Sequence, residues 1–190
     1  MSTADDDHGA PDASDAAVAD SAGAGSEGEG FALIAEGSQR LLDGVARLGA
    51  RWVVTVVTGL VDAWGKLDVD ARADVAAAAA RAGEQAATRV EAELRALFAL
   101  DPADQRATPL EIIRTLRREA SGVLHAAGVP EVVRDPFETR AFPDDEYGIV
   151  LKTPAELGDD ELGGALLAWG MGKAKVLRSR ARPGASETEL

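Results

Sequence analysis

Residues Gly23, Ala24, Gly25, Ser26, Glu27 and Gly28 carry the glycine spacing of a dinucleotide-binding turn. In that motif, backbone amides at a helix start cradle a pyrophosphate between a strand and the helix that follows. Here no strand-like segment precedes the glycines. Residues 1–30 hold eight acids and no Lys or Arg, so a phosphate would be repelled. The run Trp169, Gly170, Met171, Gly172, Lys173 looks like the end of a phosphate loop. Such a loop needs glycine at 167 and Ser or Thr at 174, where this chain has Leu167 and Ala174. Both matches fail on context.

His125 is the one histidine outside the N-terminal arm. Ser121 stands one turn before it, yet a catalytic pair would also need an orienting carboxylate, and spacing supplies none. A capping role at a helix C-terminus accounts for His125. Acids cluster at Asp144, Asp145 and Glu146 and again at Asp159, Asp160 and Glu161. Hard cations take such oxygens, but no EF-hand spacing and no Glu-x-x-His pair is present. The second cluster is explained as helix-start chemistry. The first lies among aromatics, so Phe137, Phe142, Asp144, Asp145, Tyr147 and Trp169 form the candidate ligand-binding set. No catalytic residue, metal-ligand set or cofactor is assigned.

Lys173, Lys175, Arg178, Arg180 and Arg182 place five positive charges within ten residues. At a helix C-terminus these complement the dipole, and Lys173, Lys175, Arg178 and Arg180 are the candidate anion-binding set. The acidic arm is expected to shield them at low salt. Nucleic-acid binding is not expected, because the chain carries a net charge of −13 and its aromatics lie in an acidic stretch.

Cysteine is absent, which excludes disulfides and thiolate chemistry, and asparagine is absent too. The apolar run Trp52 to Val61 spans ten residues, short of the roughly 20 needed to cross a bilayer. A cytoplasmic location is the expectation.

The elements that must position these residues read as helices. Apolar residues at 34, 41, 45, 48, 52, 56, 60 and 64 follow helical spacing over 31–66. Asp68 or Asp70 can cap a second helix over 69–100, whose Ala76 to Ala80 permit close approach. Thr108, Pro109 and Glu111 spell a capping box for a helix over 109–127, stopped by Gly128 and Pro130. Residues 129–152 read as an ordered aromatic loop with a short strand at Gly148 to Leu151. Asp159 caps a last helix over 160–180, with Gly164, Ala168 and Gly172 as its close-contact stripe. The fold class is all-α, a helical bundle built on a long antiparallel hairpin with an irregular aromatic-rich loop. The domain plan is an acidic disordered arm over 1–30, a helical domain over 31–180 and a frayed tail over 181–190.

From Thr108 onward the segments TPLEIIR, AGVPEVVRDPFE, FPDDEYG and LAWGMGKA resemble a family of uncharacterised cytoplasmic proteins from high-GC actinobacteria. The resemblance covers roughly residues 90–180. Sixteen Arg against four Lys fit such a genome. It implies a bacterial cytosolic origin and brings no catalytic residue with it.

The function expected from these features is that of a non-enzymatic helical interaction or regulatory protein, self-associating or docking on a protein partner through the hairpin. The alternatives are a small-ligand binder or enzyme using the 137–169 region, and a peripheral membrane or granule-surface protein.

Overall fold

The computed structural model describes residues 14–133, 135–141 and 146–181, apart from the side chains at 14–25, 138, 139 and 141. Among these the fold is all-α, with no strand. In chain order the helices are α1 (Ser14–Trp64), α2 (Val69–Ala99), α3 (Pro109–Ile113), α4 (Leu116–Ala126), α5 (Pro136–Ala141) and α6 (Glu161–Arg180). One 3-10 turn, Pro154–Leu157, precedes α6.

The first helix runs from Ser14 rather than from the expected Phe31. Residues 1–13 lie outside the described residues, and Ser14 to Gly30 belong to α1. Composition argued against a free-standing fold there, but extending an existing helix needs no new nucleus. Alanines at 16, 17, 19, 22 and 24 favour that extension. At its other end α1 closes at Gly65, which takes φ +68°. The Asp68 carboxylate then accepts from the Ala71 amide at 2.8 Å and starts α2.

The two long helices run antiparallel. Arg72 lies 3.7 Å from Asp62 beside the turn. Further along, Gly83 abuts the Ala50 backbone and Ala87 faces Gly49. The seam is lined by small buried residues, Ala79, Gly83, Ala86 and Ala87. α4 packs against both long helices at this level, with Leu116 reaching Gly49 and Arg89 pairing with Glu119.

The expected single helix over 109–127 is two helices. Its start is as read: Thr108 Oγ1 accepts from Glu111 N–H at 3.3 Å, and Glu111 accepts from Thr108 N–H at 2.7 Å. The break falls at Arg114 and Thr115. The Thr115 hydroxyl donates to the Ile112 carbonyl at 2.7 Å, and the amides of Thr115, Arg117 and Arg118 bond three residues back instead of four. A side chain competing for helical carbonyls tightens the turn in this way. Arg114 is thereby freed to donate to the carbonyls of Leu151 and Lys152.

The segment 129–152 is not wholly loop. It contains α5, whose start is marked by Asp135 accepting from Phe137 N–H at 2.7 Å and by Pro136 at the first helical position. The short strand expected at Gly148 to Leu151 is not formed. Gly148 takes φ +67°, a left-handed turn that interrupts extended backbone.

The most intimate contact is between α1 and α6. These also run antiparallel, with Gly44 against Leu162, Gly37 against Ala165 and Trp169, and Gly30 against Gly172 and Val176. A Cβ on Gly37 would fall 2.6 Å from the Ala165 carbonyl, and one on Gly172 would fall 2.5 Å from the Gly30 carbonyl. The buried stripe of α6 is Leu162, Ala165, Trp169, Gly172 and Val176. Of the stripe expected from sequence only Gly172 lies in the seam; Gly164 is exposed and meets nothing.

Ser26–Trp64 contains an 18-residue window of mean hydropathy 1.3, long and apolar enough by composition to cross a membrane, with 44% of it buried. Its apolar side chains Leu41, Val45, Val53, Val57 and Val61 are core residues of the bundle.

If backbone proximity is the constraint, Gly37→Ala costs about 1–3 kcal/mol through overpacking. Gly59→Ala, where a Cβ meets nothing, stabilises by up to about 1 kcal/mol through helix propensity. Urea unfolding of both variants measures the contrast, and equal effects would contradict the packing account.

Candidate functional site

Helix α6 packs along α1 on one side and reaches α2 near Phe98, which joins the small cluster of Ile34, Trp169 and Val176. Its start also touches Ala155 of the 3-10 turn beside Gly163, and among the described residues its outward side meets no other helix. At 3.6 residues per turn, Gly163, Leu167, Gly170, Met171 and Ala174 fall on the side opposite the buried stripe. Together with Leu166 and Arg178 they line a shallow apolar groove of about 430 Å³. Leu167 is 63% exposed and Met171 50%. A surface helix ordinarily sets charged residues opposite its buried face. This one sets Leu and Met there, with glycines that leave its backbone within reach.

Charge gathers at the two ends of α6. At its start, Asp159 accepts from Glu161 N–H at 3.0 Å and pairs with Arg47 at 2.6 Å. Glu161 lies 3.6 Å from Arg40. At its end, Arg180 makes a two-point contact with Asp101, at 2.7 and 2.9 Å, and meets Glu27 at 2.8 Å. Its guanidinium also stands 5.6 Å from the Phe31 ring. Lys175 pairs with Glu29 at 2.7 Å. Lys173 donates to the Gln105 carbonyl and lies 5.3 Å from the Trp169 ring. Exposed pairs of this kind contribute roughly 0–1 kcal/mol each. A buried Trp is worth about 3–5 kcal/mol against Ala. Burial of Trp169, Leu162 and Val176 therefore holds α6 in place, and the ion pairs orient it.

Of the candidate anion-binding set, Lys173, Lys175 and Arg180 are thus engaged within the molecule. Arg178 donates to the Ala174 carbonyl at 3.2 Å and has no carboxylate partner among the described residues. Glu27 and Glu29, the last acids of the expected arm, meet the basic run.

Of the candidate ligand-binding residues, the three that are described, Phe137, Tyr147 and Trp169, lie apart. Phe142, Asp144 and Asp145 lie outside the described residues. Phe137 is exposed on α5. Tyr147 is buried in the main core, its hydroxyl 3.4 Å from the Val129 carbonyl, and burial, then Glu131 and Glu146, holds its phenol above the ordinary 10.0. Trp169 belongs to the separate cluster at the other end. The cleft beside Tyr147, about 300 Å³, is walled by Thr55, Val56, Gly59 and Leu60 and does not include Trp169. Among the described residues no three His, Asp or Glu side chains converge as a metal site. His125 is exposed in the last turn of α4. The glycines at 23, 25 and 28 are inside α1 and the Gly170 to Lys173 run is inside α6, so neither forms a phosphate-binding turn.

The outward face of α6 was hidden in the sequence by Trp169 and Leu162. A helix apolar on both sides shows no clear stripe, and the low periodicity of Leu166, Leu167, Trp169 and Met171 was its one available signal.

Fold and site together define an all-α bundle in which, among the described residues, the outward apolar face of α6 is exposed. No family model matches the chain, and no curated protein or solved structure does either.

The Asp101 carboxyl is held below its ordinary 3.8, chiefly by the hydrogen bond from Arg180 and then by that from the Ala103 amide. Because the folded value lies below the unfolded one, this contribution is complete above the unfolded value and is lost as pH falls through the folded value. In Arg180→Met the Asp101 inflection, followed by carboxyl NMR, moves up towards 3.8. The stability difference between the two proteins should narrow in acid to what the pH-independent Phe31 contact contributes; a difference that does not change with pH would refute the assignment.

Proposed function

We propose that this chain is a non-enzymatic interaction protein that docks on another protein through the outward face of α6. The observation that carries this reading is the exposure of Leu167 and Met171 along a groove floored by glycine and alanine. Apolar patches rimmed by polar residues mark interaction surfaces more often than they mark catalysis. Small residues in the floor let a partner helix approach the backbone closely, as Gly30 and Gly37 do on the covered side. The docking surface so read is on α6, while the apolar faces of the α1–α2 hairpin are spent on the core. The resemblance to actinobacterial proteins of the cytosol accords with a bacterial intracellular partner.

A photo-cross-linking amino acid at position 167, expressed in the host cells, is expected to form light-dependent protein adducts. The same group at Arg81, exposed on α2, should form none. Leu167→Asp leaves folding stability within about 0.5 kcal/mol, because an exposed position makes few native contacts. Absence of any adduct from position 167 would remove the proposal.

A further inference from the structure

We infer that the partner of this face is a second copy of the chain, with the two α6 helices packed antiparallel about a two-fold axis beside residue 169. The inference rests on the docking reading above and names its occupant.

Charge and apolar pattern agree on one arrangement. Asp160 and Arg178 are eighteen residues apart in sequence, which is five turns of helix, about 27 Å. They therefore project on the same side, one at each end of the groove. Asp160 is exposed at the N-cap and makes no side-chain capping bond. Among the described residues neither it nor Arg178 meets an opposite charge, in contrast to Asp159, Glu161, Lys175 and Arg180. An antiparallel copy would bring Asp160 of each chain to Arg178 of the other, so both charges are matched twice.

The same axis matches the apolar residues. Positions 160 and 178 share a midpoint at 169, and so do Leu167 and Met171. Leu167 of one copy thus lies opposite Met171 of the other, with Ala168 and Gly170 on the two flanks of the contact. A two-fold interface requires this reciprocity, residue i meeting j while j meets i. A parallel pairing would instead put Asp160 against Asp160 and Arg178 against Arg178. A heterologous partner would need none of this symmetry.

One helix pair buries less than a standard interface, so a dissociation constant in roughly the micromolar range is expected. Light scattering on the full chain at about 50 mM salt, where screening is weak, should show the mass rising with concentration towards twice 19.7 kDa. Asp160→Arg and Arg178→Asp should each weaken association about tenfold, since each sets like charges together at both ends. An equimolar mixture of the two variants should regain wild-type association, because every facing pair is again opposite in sign. Leu167→Asp should be monomeric with an unchanged circular-dichroism melt.

A wild-type chain that stays monomeric up to about 200 µM, well above the range expected for a small interface, would overturn the inference. So would dimers indifferent to Leu167→Asp, or charge variants that fail to rescue one another. If the photo-cross-linker at position 167 instead captures only other proteins, the docking reading stands and the second copy is excluded.

Discussion

Where α6 crosses α1, backbone meets backbone. Gly30, Gly37 and Gly44 stand seven residues apart and each turns its missing side chain towards α6, while Gly172 answers from the other side. Glycine weakens a helix interior by about 1 kcal/mol relative to alanine. Concentrating glycines on one stripe is reasonable only if close contact returns more than that. The return is dispersion along the whole seam together with burial of Leu162, Trp169 and Val176. With Phe98 of α2 adding to the cluster around Trp169, this one seam carries most of the contact that α6 makes among the described residues.

Much of the architecture was legible because its signals are local. Asp68, Thr108 with Glu111, and Gly128 each announce a helix end through one side chain or one backbone angle, and each acts as its residue type predicts. Asp135 and Pro136 offered the same kind of signal for α5, lost in a stretch that reads as loop because of its prolines. The break at Thr115 was not legible. It depends on a hydroxyl choosing a carbonyl, and the sequence around it is as helical as its neighbours.

What sequence obscured most was the glycine stripe. Gly30 lies at the edge of an acidic, glycine-rich stretch, so it looked like part of a linker rather than the first contact of a seam. On α6 the small residues Gly163, Gly164, Ala165, Ala168, Gly170 and Gly172 surround the helix, and spacing alone does not say which of them face a neighbour. The choice is made by Trp169 and Val176, which have the area to define a buried side. Once they turn inward, Gly172 must follow and Gly164 cannot. Of the candidate ligand residues that are described, Tyr147 is drawn into the main core and Trp169 into a separate cluster with Ile34 and Val176.

The seven-residue rhythm of Gly30, Gly37 and Gly44 also limits how this protein could change over generations. Adding or deleting a single residue between them would rotate the remainder of the stripe by about 100°, swinging a full-sized side chain into a space that admits only hydrogen. Length variation in that stretch is tolerable only as a whole heptad, accompanied by a matching change in α6. Loops elsewhere in the chain are free of that requirement. The two helices are bound to diverge together, as one inherited unit.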